Sequence, residues 1–222
     1  AASDVYKRQI YPFAILKKIG ALLAKKEQEY GTTIVAISDE PYARISFGEE
    51  VPCIFTAITN AVIVTSHSKD LALPGDRIGY LAASPNLKDV TLFMQGAIFA
   101  NRVLGFVNAP ALMQRLVTRL QRVSVDVEQY RIKRDLLYNK LVELGFEVVK
   151  PGGGFYLFPR SPLTDEIEFI GRAQQHGILL VPGSGFGAPG FFRIAYCVED
   201  DMIKRSLPAW EKLAQELGMV AG

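Results

Sequence analysis

Between Tyr11 and Tyr30 the apolar residues Ile15, Ile19, Leu22 and Leu23 recur at the spacing of one helix face, and Gly31 supplies the stop. Two short β-rich runs follow, Thr32 to Ile37 and Ala61 to Thr65. Both are apolar on alternate and intervening positions alike, as strands buried on both faces of a parallel sheet are. Ile78 to Ala83 reads as another strand, and Pro85 to about Phe106 as a helix. Asn108 and Pro110 then signal the start of a long amphipathic helix that Gly145 ends. Its apolar stripe runs from Leu112 through Leu120, Val127 and Leu137 to Leu144. Arg115, Arg119, Arg122, Arg131, Lys133 and Lys140 form its opposite, solvated face.

Beyond Gly145 the pattern shortens. Residues 146–149, 155–158, 178–181 and 191–196 read as strands, and 164–176 and 199–217 as helices. The pattern predicts an α/β fold: a large domain with a mostly parallel sheet over 10–107, a connecting helix over 108–145, and a small α+β domain over 146–222. Residues 1–9 fit no element and are expected to be foreign to the fold, as translated adapter sequence is.

Composition narrows the function classes. With 222 residues, 49% of them hydrophobic, the chain can bury a core. Its 25 Lys+Arg against 23 Asp+Glu leave a charge of +2, which argues against nucleic acid as a partner. Cys53 and Cys197 have neither metal-ligand nor disulfide-framework spacing and are expected as reduced, partly buried thiols. No apolar run approaches the ~20 residues of a membrane span. No signal peptide is apparent, so a soluble cytoplasmic protein is expected.

The chemistry lies at strand ends. Asp39, in Ser38-Asp39-Glu40-Pro41-Tyr42, and Lys69, in Thr65-Ser66-His67-Ser68-Lys69, each follow an apolar run. Open α/β sheets gather their ligands there. Arg77 follows in Gly75-Asp76-Arg77-Ile78-Gly79. Taken singly, Asp39 is a turn residue, Lys69 a surface lysine, Ser66 and Ser68 turn hydroxyls and Arg77 an ion-pair partner. Taken in order, the carboxylate, phenol, lysine and guanidinium suggest one ligand, pyridoxal 5′-phosphate. Competing motifs fail on context. Gly152-Gly153-Gly154 lacks the Lys-Ser/Thr of a phosphate loop, and Gly183-x-Gly185-x-Gly187 runs into Ala188-Pro189-Gly190. His67 has no catalytic role assigned, and His176 reads as a helix-terminal residue.

Ser-Asp-Glu-Pro-Tyr (38–42), Ser-His-Ser-Lys (66–69) and Leu-Pro-Gly-Asp-Arg-Ile-Gly-Tyr (73–80) resemble the fold-type I, pyridoxal-phosphate-dependent aminotransferases of class I/II. The resemblance runs from about Ile10 to Leu217 and takes in Pro182 to Gly187 and Phe192-Arg193-Ile194-Ala195. It implies that Lys69 joins the cofactor aldehyde and then shuttles the substrate proton. Asp39 would hold the pyridine nitrogen protonated and Tyr42 would bond the ring oxygen. Ser66, Ser68 and Arg77 would bind the phosphate, and Arg193 the substrate carboxylate through two parallel bonds. Amino-acid and 2-oxo-acid substrates and a homodimer are implied with them. Two other readings stay open: a carbon–sulfur β-lyase with the same cofactor, and an aminotransferase-like regulatory ligand-binding domain. The family's first half, with its glycine-containing phosphate helix, stacked aromatic ring and Asn-Pro-x-Gly segment, has no counterpart before Ile10-Tyr11. The 222-residue chain alone is therefore expected to have little activity.

Overall fold

The computed structural model describes residues 10–48 and 50–219; the segment 1–9 lies outside the described residues. Two compact units divide between Val125 and Asp126.

In the first unit, helix α1 (Phe13–Tyr30) ends where Gly31 turns left-handed, φ 63°, and donates its N–H to Glu27 O. The Glu27 side chain reaches onward, accepting from Ile34 N (2.8 Å) and from the Asn60 amide (2.7 Å). Ile34 thus spends its N–H on a side chain, and the strand expected from Thr32 begins only at Ala36. This strand, β1 (Ala36–Asp39), is followed by a 3₁₀ turn (Ile54–Thr56) and β2 (Ala61–Ser66). Ile54, Ile58 and Ala61 form a buried cluster against which Ile19, Leu23, Ala36 and Ile63 pack. A Cβ on Gly20 would lie 2.3 Å from Ala57 O, so only glycine lets α1 approach this closely.

β1 and β2 are parallel, from Ala36↔Ala61 to Asp39↔Val64. β2 leads directly into the short helix α2 (His67–Asp70), and the chain returns as β3 (Gly79–Ala83), antiparallel to β2 with Ser66 opposite Gly79. The sheet order is β1-β2-β3. The expectation of strands buried on both faces fails here. Ala61 and Val62 are buried, but Ile37 is 67% exposed. Helix α3 (Val90–Val103) has no buried residue.

The single helix expected over 108–145 is two, α4 (Ala111–Arg119) and α5 (Val127–Glu143). Residues 121–125 are diverted by partners of their own. Arg44 donates to Gln121 O (2.6 Å) and Val123 O (3.3 Å), and Val125 N donates to Asp70 O (2.7 Å). Asp126 then caps α5 by accepting from Glu128 N and Gln129 N, the usual work of an N-terminal aspartate.

α5 opens the second unit. No strand forms over 146–149; Phe146 instead sets its ring edge-on to Trp210 at 5.5 Å. The remaining elements are β4 (Tyr156–Leu157), α6 (Glu166–Gln175), β5 (Val181–Pro182), a second 3₁₀ turn (Gly183–Phe186), β6 (Phe192–Ala195) and α7 (Asp200–Glu216). The strand expected at 178–181 shrinks because Ile178 N is still bound to Ala173 O (3.0 Å) at the end of α6. The sheet is antiparallel in the order β4-β6-β5. Phe169, Phe192, Tyr196, Trp210 and Leu213 are almost wholly buried in its core. The thiols of Cys53 and Cys197 are free but exposed, rather than partly buried.

Candidate active site

Two of the sequence motifs meet at one end of the first sheet. Asp39 is the last residue of β1, and its register partner Val64 stands two residues before Ser66, the last of β2. In a strand pair of this parity Asp39 and Ser66 project from the same face, the one on which Ile37 is exposed. The turn that follows β2 carries Ser68 and Lys69. Lys69 Nζ lies 5.9 Å from the centre of the Tyr42 ring, so the amine and the phenol-bearing loop after β1 are neighbours. β3 returns the chain with Gly79 opposite Ser66, which brings Arg77 in two residues upstream of that pairing. A Cβ on Gly79 would meet Thr65 O at 2.2 Å and Ser66 Cα at 2.9 Å. Arg77 itself has φ 50° and bends one N–H back to Pro74 O at 2.8 Å. Its guanidinium is exposed.

Beneath the lysine lies a buried polar pair that has no sequence signature of its own. His67 and Asp70 are both buried, with His67 Nδ1 at 3.1 and 3.3 Å from the two Asp70 carboxylate oxygens. Arg44 stands 3.8 Å from the same carboxylate. His67 N also donates to Ile78 O (3.0 Å), which ties the lysine turn to the strand behind Arg77. Each of these residues has an ordinary surface reading in the sequence. Only the fold shows that His67 and Asp70 face inward.

Arg193 belongs to the second unit. It lies on β6 opposite Val181 and is half-buried. Its guanidinium carbon sits 4.4 Å from the Tyr156 ring centre and 4.3 Å from that of Phe186. Among the described residues no carboxylate lies within ion-pair distance of it. Glu166, at the start of α6, fixes the turn that carries Phe186, a role with no local signal around it. Its buried carboxylate accepts from Ser184 N (2.9 Å) and from Gly190 N. The Gly190 N–H is the main cause holding the Glu166 carboxyl below the usual glutamate range; burial opposes it and Ser184 assists. Gly183 allows this turn, since a Cβ there would lie 2.3 Å from Ala188 O.

Residues 14–209 match the family model for aminotransferase class I and II. The chain belongs to that family. It is 38% identical to an amino transferase of Eubacterium rectale whose crystal structure covers 96% of this chain at a TM-score of 0.92, over 54% of that protein. It is 30% identical over 217 residues to the aspartate/prephenate aminotransferase of Thermus thermophilus, covering 94% of this chain and 53% of the relative. The aspartate aminotransferase of Thermotoga maritima shares the fold at a TM-score of 0.81 with 22% identity, over 95% of this chain and 54% of that one. The chain thus spans about half the length of the relatives it matches.

Pyridoxal phosphate is the cofactor of class I and II aminotransferases, and the donor set at the lysine end of the sheet fits it. A carboxylate (Asp39) suits a protonated ring nitrogen, a phenol (Tyr42) a ring oxygen, and a primary amine (Lys69) an aldehyde. Two hydroxyls and a guanidinium (Ser66, Ser68, Arg77) suit a phosphate. Asp39 ends β1, Tyr42 lies in the turn just after it, and Lys69 lies in the helical turn that follows the adjacent β2. No group of His, Cys, Asp and Glu side chains among the described residues could hold a metal ion. No helix among them is long and apolar enough to cross a membrane.

Proposed function

We propose that the whole protein transfers an amino group between an amino acid and a 2-oxo acid. The observation that supports this reading is the approach of Lys69 Nζ to the Tyr42 ring beyond the carboxyl ends of the parallel strands β1, which Asp39 ends, and β2, in a chain of this family. When bound, pyridoxal phosphate supplies the aldehyde and the electron-withdrawing ring. The chain's own residues do the rest. Asp39 keeps a proton on the ring nitrogen, and Tyr42 donates a hydrogen bond to the ring oxygen. Ser66, Ser68 and Arg77 anchor the phosphate, and Lys69 Nζ takes up and returns the proton at the substrate Cα. Arg193 holds the substrate carboxylate with its planar fork of N–H donors, which a lysine could not imitate. The resemblance extends the proposal to a cytoplasmic homodimer.

The experiment is to incubate the purified 222-residue chain with pyridoxal phosphate, reduce with borohydride and map the modified lysine by mass spectrometry. Dominant modification of Lys69 is expected. Modification scattered over the surface lysines would count against the assignment. For the whole protein, product formation should depend on an added 2-oxo acid; formation without one would point to β-elimination instead.

A further inference from the structure

We infer that Tyr156 and Phe186 are positioning residues for Arg193, holding its guanidinium by their rings so that its hydrogen-bond donors stay available to a planar carboxylate. The inference rests on reading Arg193 as the substrate-carboxylate site and says how that residue is kept ready.

The usual way to orient an arginine is to pair it. Arg134, buried in the same unit, donates to Pro151 O at 2.8 Å and meets Asp135 at 2.8 Å. Such partners use up N–H donors and neutralise the charge, so an incoming anion has to displace them. Arg193 is half-buried and has no such acid among the described residues. It has two aromatic rings at 4.4 and 4.3 Å instead, well inside the ~6 Å reach of a cation–π contact. A ring attracts the cation through its π-electrons and leaves the edge-directed N–H groups unspent.

The rings come from the two neighbours of β6. Tyr156 is on β4, which pairs with β6 at Ala195. Phe186 ends the 3₁₀ turn that continues β5, which pairs with Arg193 through Val181. Both approaches are fixed from behind. Tyr196 Oη donates to Gly154 O (3.0 Å) just before β4, and the Glu166 carboxylate grips Ser184 N and Gly190 N on either side of Phe186. The arginine is therefore clamped by rigid backbone through side chains that do not compete for its ligand.

The test uses the ¹⁵N-labelled 222-residue chain, with the Arg193 Nε–H resonance assigned by its loss in Arg193→Lys, and pyruvate as the probe. In the wild type this resonance should be shifted by the ring currents and should move as pyruvate is added. Tyr156→Leu and Phe186→Leu should each return it toward the position of exposed arginines and weaken pyruvate binding roughly three- to thirty-fold. Tyr156→Phe, which keeps the ring, should retain both properties and guards against a leucine variant that merely misfolds. Wild-type pyruvate affinity in folded leucine variants overturns the inference alone. A ring-shifted resonance that pyruvate never moves overturns the carboxylate role of Arg193, and the inference with it.

Discussion

His67 and Asp70 clasp each other across Lys69: the imidazole Nδ1 stands 3.1 Å from the nearer carboxylate oxygen, and both side chains are buried. The helical turn that presents the lysine is thus pinned from below by a polar pair. Removing one partner leaves the other buried with its bond unmade, which costs about 1–3 kcal/mol. Asp70→Ala is expected to lower stability to denaturant by about that amount. It should also reduce the fraction of chain modified at Lys69 by pyridoxal phosphate and borohydride. An alanine variant with wild-type stability and wild-type labelling would refute the pinning.

Lys69 is only half-buried, in the short helical turn that follows β2. Lys69→Ala is expected to change stability by no more than about 0.5 kcal/mol, the usual range for such positions. The same substitution should abolish the specific cofactor adduct. Denaturant titration and mass mapping on one preparation separate the two effects. A large loss of stability would mean the lysine is structural.

Gly79 faces Ser66 across the β2–β3 pair, and an added Cβ would lie 2.2 Å from Thr65 O. Both contacting groups are backbone, so neither can swing aside. Gly79→Ala should therefore push the strands apart at the end of β2 that feeds the lysine turn. A loss of about 1–3 kcal/mol is expected, as for overpacked sites generally. Weaker modification of Lys69 should accompany it. Gly75→Ala, where nothing lies within 4 Å of the added Cβ, serves as the control.

The Glu166 carboxyl is held below the usual value of 4.5, chiefly by the Gly190 N–H. A carboxyl whose pKa is lower in the fold than in the unfolded chain stabilises the fold above the unfolded value. That stabilisation disappears as the pH falls through the folded value. Glu166→Gln keeps the shape but loses the charge and one acceptor. Wild type should be the more stable at about pH 7, with the gap narrowing as the pH drops below about 4.5. Thermal melts of both proteins across that interval check the sign. A gap that widens in acid would exclude this role.

Much of the frame was legible because local signals and tertiary structure agree. Gly31 ends α1 for the reason its sequence position suggests, and the apolar run at Ala61 becomes β2 within a residue. The motifs around Asp39, Lys69 and Arg77 were legible because chemistry demands those residue types in that order. What escaped depended on partners far away in the chain. The break between α4 and α5 is made by Arg44, about eighty positions upstream, which donates to Gln121 O and Val123 O, a contact that no apolar pattern signals. Glu166 looks like an ordinary first-turn acid until its two N–H donors, 18 and 24 positions on, are seen. The rings beside Arg193 likewise sit in segments that read only as strand and turn.

The uneven burial of the helices carries its own consequence. α3 contributes no buried residue, whereas α7 contributes Ile203, Trp210, Leu213 and Ala214 to an aromatic core. An amide in α3 needs only a local opening to meet solvent, while one in the middle of α7 must wait for the core around Trp210 to come apart. Hydrogen exchange should therefore erase α3 first and α7 last, so the two units of this short chain keep time by different clocks.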